Sequence, residues 1–246
     1  MSNLIFGILG YGIVGKATHK ALLKDQKVII HDLNLNTDEK SLSPCDYIFI
    51  CIPTVYQQDI DLLINTVKQF RDKKIILRST VPIGSCNLLK EQHGINVHYI
   101  PEFLRDRYWD TDCLTYPLLV GQGDDLDLSM LNIDNKIINC TNEDLELVKM
   151  FSNNIAVLKI VFANHFYDLT QKTGCDYNLI VDMYDKVKND QSYLEANDDL
   201  RGFGGKCLPK DLEFLINTFK QFDIEQTLFT SLQQDNKKWP IHIRKS

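Results

Sequence analysis

Seven short runs rich in β-branched and aromatic residues punctuate the first 140 positions: NLIFGIL, KVIIH, DYIFICI, KIILRS, NVHYI, PLLVG and KIINC. Stretches of helical length separate them, and a strand that returns through such a crossover lies parallel to its predecessor. The runs are almost continuously apolar, so both faces of the sheet must be covered. The pattern predicts an α/β chain with a doubly wound parallel sheet over residues 1–140. After Cys140 the texture changes. TNEDLELVKMFSNNIAVLKIVFANHFYDLTQKTG has helical periodicity, with Thr141 or Asn142 to cap it, acidic residues in its first turn and Gly174 to stop it. Further helices are expected from Asp176 to Lys188 and from Pro209 to about Lys237, making 141–246 an all-helical domain.

Bulk properties exclude several classes of function. The 246 residues carry a net charge of −6 with Lys and Arg dispersed, so there is no basic stripe for nucleic acid. No run approaches the ~18 apolar residues of a membrane span. The apolar start LIFGILGYGIVG lacks a preceding basic segment and holds four glycines, unlike a signal peptide. Seven cysteines without a CxxC pair suit a reduced, cytoplasmic chain, and no metal-ligand spacing stands out.

GYGIVG lies between the first strand and a helix beginning near Ile13. Gly10 permits a tight turn, Gly12 lets the amides of Ile13 and Val14 approach a pyrophosphate, and Gly15 allows close helix packing. Asp32 ends the next strand, where a carboxylate can accept hydrogen bonds from an adenosine ribose and would repel a 2′-phosphate. This context predicts a Rossmann-like domain binding NAD, with hydride transfer as its chemistry.

Later strand ends carry Thr54 in CIPTV, Ser79 and Thr80 in RSTVPIG, and Glu102 in YIPEFLRDRYWD. The hydroxyls suit a cofactor or water, or equally cap helices. Glu102 suits the reacting centre or a solvated loop. Lys149 and Asn153, four apart on the long helix, share a face and could meet one substrate oxygen. RGFGGKCLPKD places Cys207 before a helix opening at Pro209, flanked by Lys206 and Lys210, with Asp211 in the first turn. A thiol there suits a nucleophile, though glycine loops before helices are also purely structural.

GYGIVG, CIPT, STVPIGS, PEFLR, KMFSNNIAVLKIVFAN and GFGGKCLPKD, in this order, resemble the UDP-glucose/GDP-mannose dehydrogenase family. The resemblance implies NAD-dependent oxidation of a sugar nucleotide's C6 alcohol to a carboxylate, with two hydrides removed. Cys207 would form a thiohemiacetal and then a thioester. Lys149 and Asn153 would stabilise an oxyanion, Asp211 and Thr80 would flank the catalytic water, and Glu102 would be the general acid or base. Gly10, Gly12, Ile13, Val14, Gly15, Asp32, Thr54, Ser79, Thr80, Asp106 and Lys210 would line the cofactor. Phe103, Leu104, Arg105, Phe203, Gly204 and Gly205 would line the substrate. The resemblance also implies a homodimer through the long central helices.

The chain departs from the family pattern in places. It stops at NKKWPIHIRKS, where a linking helix should end, so a short form without the nucleoside-gripping carboxy-terminal domain is expected. Gln191 stands for an arginine that reaches the partner's substrate, and nearby Arg201 is its candidate substitute. Asp106 shortens a glutamate, and His165 replaces one. Alternatives are a two-electron dehydrogenase of the 6-phosphogluconate or β-hydroxyacid type, and a non-catalytic NAD-binding module needing a partner chain. The substrate is then a sugar nucleotide or a smaller sugar phosphate.

Overall fold

The structure, a computed structural model, describes residues 4–121, 126–131, 136–189, 193–194, 196–198 and 200–239. The chain divides into two compact units, Met1–Lys149 and Met150–Ser246. All seven expected strands form. In the first unit β1 (Ile5–Leu9), β2 (Lys27–His31), β3 (Tyr47–Ile50), β4 (Lys74–Leu77) and β5 (Val97–Tyr99) make a parallel sheet of order β2-β1-β3-β4-β5. The intervening helices are α1 (Ile13–Leu22), α2 (Gln57–Gln69) and α3 (Ser85–His93), with α4 (Trp109–Thr115) following β5.

The strands alternate their side chains between two cores, as period-two geometry requires. Ile48, Ile50, Ile75 and Leu77 join Leu63 and Val67 on one face. Phe6, Ile8, Phe49 and Ile76 join Leu22 and Leu23 on the other. Each large apolar side chain buried this way contributes about 1.5–3 kcal/mol. Leu9 pairs with both His31 and Ile50, Ile50 with Leu77, and Leu77 with Tyr99. The carboxyl ends are therefore flush. Because the order reverses around β1, the loops after β1 and β3 open a crevice where ligands of such sheets bind.

β6 (Leu118–Gly121) and β7 (Ile137–Cys140) pair in parallel but form a separate two-stranded sheet. The reason is one side chain. Asn142, the first residue of α5 (Asn142–Thr173), accepts from Tyr99 N (3.0 Å) and donates to Val97 O (3.0 Å), filling the edge of β5 as a neighbouring strand would. A Cβ on Gly121 would sit 2.1 Å from the Asn142 amide oxygen, so β6 closes on this junction only through glycine.

In the second unit the rest of α5 joins α6 (Tyr177–Lys188), α7 (Leu208–Gln221) and α8 (Leu228–Asn236). Asp176 caps α6 through Asn178 N and Leu179 N. The single helix expected from Pro209 to Lys237 is instead two. At Phe222 the Ile224 amide bonds Phe219 O (2.9 Å) and the Asp223 amide bonds Lys220 O (3.2 Å), a Schellman cap. Asp223, at φ 53°, takes the left-handed position that glycine usually marks. No glycine announces the break. Val157, Ile160, Val161, Phe203, Leu212, Ile216, Leu232 and Trp239 form this unit's core.

Candidate active site

The GYGIVG turn requires its glycines for different reasons. Gly10 has φ 91°, and a Cβ there would meet the Cys51 carbonyl oxygen at 2.6 Å. A Cβ on Gly15 would meet Gly10 O at 2.1 Å, whereas one on Gly12 would meet nothing within 4 Å. Gly12 is the N-cap of α1, and no side chain caps it. The first-turn amides of α1 are thus left facing an open cradle, which suits a pyrophosphate. Asp32 accepts from Tyr11 N (2.6 Å) and Asn34 N (2.8 Å). The Tyr11 amide first, then that of Asn34, holds its carboxyl below the usual range. An ionised carboxylate fixed beside the glycine turn fits a ribose diol, so these residues fit a dinucleotide.

The hydroxyls past β3 and β4 cap no helix. Thr54 Oγ1 donates to Thr80 O (2.5 Å) and Ser79 Oγ to Ile52 O (2.7 Å), stitching the two loops to each other. The helix-capping alternative is thereby overturned for Thr54 and Ser79. Beyond β5, Glu102 accepts from Leu104 N (2.7 Å) through one oxygen and meets Lys149 Nζ (3.1 Å) through the other. Lys149 also donates to Glu102 O (2.5 Å) and lies over the Phe103 ring at 5.3 Å. Burial pushes the Glu102 carboxyl upward, but the Lys149 charge, the Leu104 amide and the charge of Arg78 outweigh it, and the net shift is downward. Arg105 is bound by Asp112 through Nε (3.0 Å) and Nη2 (2.8 Å), while Asp106 is exposed.

In the second unit the thiol loop runs into α7. Cys207 is exposed and is the N-cap of α7, with Pro209 in the first turn. Asp211 is fully buried. It accepts a short hydrogen bond from Asn153 and meets Lys210 Nζ at 3.2 Å, although its Oδ1 accepts no well-directed hydrogen bond. Lys210 is thus turned toward Asp211 and the Phe214 ring, leaving Lys206 as the exposed cation beside Cys207. Phe203 is buried in the core, and its backbone is clasped by the Asn236 amide (2.7 and 2.8 Å). Gly204 is half-buried; Gly205, at φ 76°, has open space around it.

Residues 143–238 match the central domain of the UDP-glucose/GDP-mannose dehydrogenase family. This chain matches that family. It is 26% identical over 252 residues to the UDP-glucose 6-dehydrogenase of Campylobacter jejuni, covering 89% of this chain and 61% of that enzyme. It is 33% identical over 189 residues to that of Rickettsia typhi, covering 69% and 42%. The chain therefore spans about three fifths or less of these curated relatives. A UDP-glucose dehydrogenase from Pyrobaculum islandicum superposes with TM-score 0.79 at 23% identity, covering 96% of this chain and 68% of that one. A 3-hydroxyisobutyrate dehydrogenase from Mycobacterium tuberculosis superposes with TM-score 0.73 at 14% identity, covering 96% and 93%. At these identities both structures establish the fold alone.

Two placements were not legible in the sequence. Arg78 is buried at the end of β4, donating to Thr18 Oγ1 (3.1 Å) and Ile100 O (2.8 Å). Its only signal was a charge ending an apolar strand. Arg201 does not reach outward: it binds Asn164 (2.6 Å) and Asp168 (2.7 Å) and lies 5.3 Å from both the Tyr167 and Trp239 rings. Its guanidinium is thus engaged by side chains of its own unit. Gln191 lies outside the described residues. His165 pairs with Asp235 (3.0 Å) and packs edge-on to Trp239. No group of His, Cys, Asp or Glu among the described residues could hold a metal, and no described helix is long and apolar enough to cross a membrane.

Proposed function

We propose that the protein oxidises the C6 alcohol of a UDP-glucose-like sugar nucleotide to a carboxylate, using NAD. The observation that carries this reading is an exposed thiol at the N-cap of α7, one turn before a buried aspartate held by Asn153. A two-electron oxidation has no use for that thiol.

Bound NAD supplies the hydride acceptor for both oxidations. Gly10, Gly12 and Gly15, the amides of Ile13 and Val14, Asp32, Thr54, Ser79, Thr80, Asp106 and Lys210 would bind and orient it. Glu102, held as a carboxylate, takes the alcohol proton, and Lys149 and Asn153 stabilise the alkoxide. Loss of the first hydride leaves an aldehyde. The Cys207 thiolate adds to its carbon, forming a C–S bond and turning the carbonyl oxygen into the oxyanion that expels the second hydride. The resulting thioester is cleaved by a water that Asp211 and Thr80 orient, releasing the carboxylate and restoring the thiol. One sugar consumes two NAD and one water.

We propose a homodimer through α5. Phe151, Phe162, Phe166 and Leu169 on that helix are exposed, more apolar area than a solvated helix face ordinarily shows. Light scattering should give about twice the 28.4 kDa chain mass; a monomer at micromolar concentration would remove this part of the reading.

The test is to supply limiting UDP-glucose with excess NAD and count NADH per sugar. Two per sugar is expected, and C207A should form no carboxylate. One per sugar, with C207A equally active, would favour a β-hydroxyacid or 6-phosphogluconate type of dehydrogenase. NAD binding without turnover on any sugar would leave a non-catalytic module.

A further inference from the structure

Glu146 is 1% exposed, yet it carries a carboxylate. Its oxygens accept from Gly84 N (2.6 Å) and Cys86 N (2.9 Å), the N-cap and second residue of α3. Gly84 has no side chain with which to cap its own helix, so the cap arrives from α5, sixty residues along the chain. The carboxylate also meets the positive end of the α3 dipole. Burial still pushes the Glu146 carboxyl upward, more than the two amides pull it down. A group kept ionisable where folding disfavours its charge is a candidate for function rather than stability.

Three polar residues, 142, 146 and 149, recur at four- and three-residue spacing, which is one helix face. Asn142 bonds the backbone of β5, Glu146 the start of α3, and Lys149 the turn at Glu102. These contacts all lie within the first unit. The Glu146 contact holds the far end of the Ser79–Gly84 loop, whose near end is already tied through Thr54 and Ile52.

We propose that Glu146 is a positioning residue that latches the Ser79–Gly84 loop, so that Thr80 and Ser79 stand ready for the cofactor. This rests on the function proposed above. Glu146 touches neither reacting atoms nor cofactor; it acts through the Gly84 and Cys86 amides.

The test is E146Q, which keeps the shape but turns an NH2 group toward one of the two amides. Cys86 is the local reporter because it is buried; burial first, and then the Glu146 charge, push its thiol upward, so labelling is compared per thiolate across a pH series. Cys45 and Cys51, buried in the same unit, report wider loosening. With N-ethylmaleimide and peptide mapping across that pH series, E146Q should label Cys86 about tenfold faster per thiolate than wild type, with Cys45 and Cys51 unchanged. NADH binding, followed by fluorescence without any sugar, should weaken about fivefold, and T80A/E146Q should bind no more weakly than T80A alone. Cys86 staying protected, all three cysteines reacting together, or additive effects of T80A and E146Q would each overturn the latch. If the wild type binds no NADH, the function proposed above is overturned, and the Cys86 rate alone then supports or overturns the latch. Should E146Q not fold, hydrogen exchange in the wild type decides: slow Gly84 and Cys86 amides support the latch, and rates typical of a free helix start overturn it.

Discussion

The Lys149 ammonium is held at two points by one residue, 2.5 Å from the backbone carbonyl of Glu102 and 3.1 Å from its carboxylate. Both side chains are nearly inaccessible, so each charge depends on the other. Removing the cation in K149M leaves an unpaired buried carboxylate and should cost about 3 kcal/mol at neutral pH, with K149M/E102Q recovering most of it. The sign of the acid dependence follows. Glu102 is held below its ordinary 4.5, so its contribution to stability is present above that value and lost as pH falls through the lowered one. In K149M burial acts unopposed by Lys149, and stability should instead rise on acidification. Urea titrations of both proteins between pH 7 and pH 4 would show the two slopes; parallel slopes would refute the coupling.

The glycines of the first turn separate folding from binding. G12A adds a methyl group where nothing lies within 4 Å and should unfold close to the wild-type temperature while losing NADH affinity by about tenfold or more. G15A drives a methyl group to 2.1 Å from the Gly10 carbonyl and should lose about 2 kcal/mol or more of stability. Thermal melts paired with NADH titration would read both. Equal melting losses in the two variants would contradict the assignment.

Arg201 ties the thiol loop to α5 through Asn164 and Asp168 and lies 5.3 Å from the Tyr167 and Trp239 rings. R201K keeps the charge but loses the paired hydrogen bonds to Asn164 and Asp168 and the guanidinium contacts with the Tyr167 and Trp239 rings. Asp168 is half exposed, so most of the loss should come from the rings and from Asn164. A decrease of about 1–2 kcal/mol in urea is expected. An unchanged midpoint would mean that the loop is anchored through Asn236 alone.

The strands, the glycine turn between β1 and α1, and the start of α5 were legible because each is decided by neighbours in sequence. Alternation, turn chemistry and capping act within a few residues. The break between α7 and α8 was not, because Asp223 does there what glycine usually does. The roles of Thr54 and Ser79 were not either, since their partners lie on the next loop.

The sequence by itself determined a parallel sheet followed by helices, and which residue types could carry chemistry. Only the tertiary structure decided their partners. Lys149 is paired with Glu102, Lys210 with Asp211, Arg201 is enclosed by two rings, and Asn142 stands in for a strand. The physical reason is reach. Backbone preferences are settled locally, whereas a buried charge or amide is satisfied by whatever the fold brings within about 3 Å of it, wherever that lies in the chain.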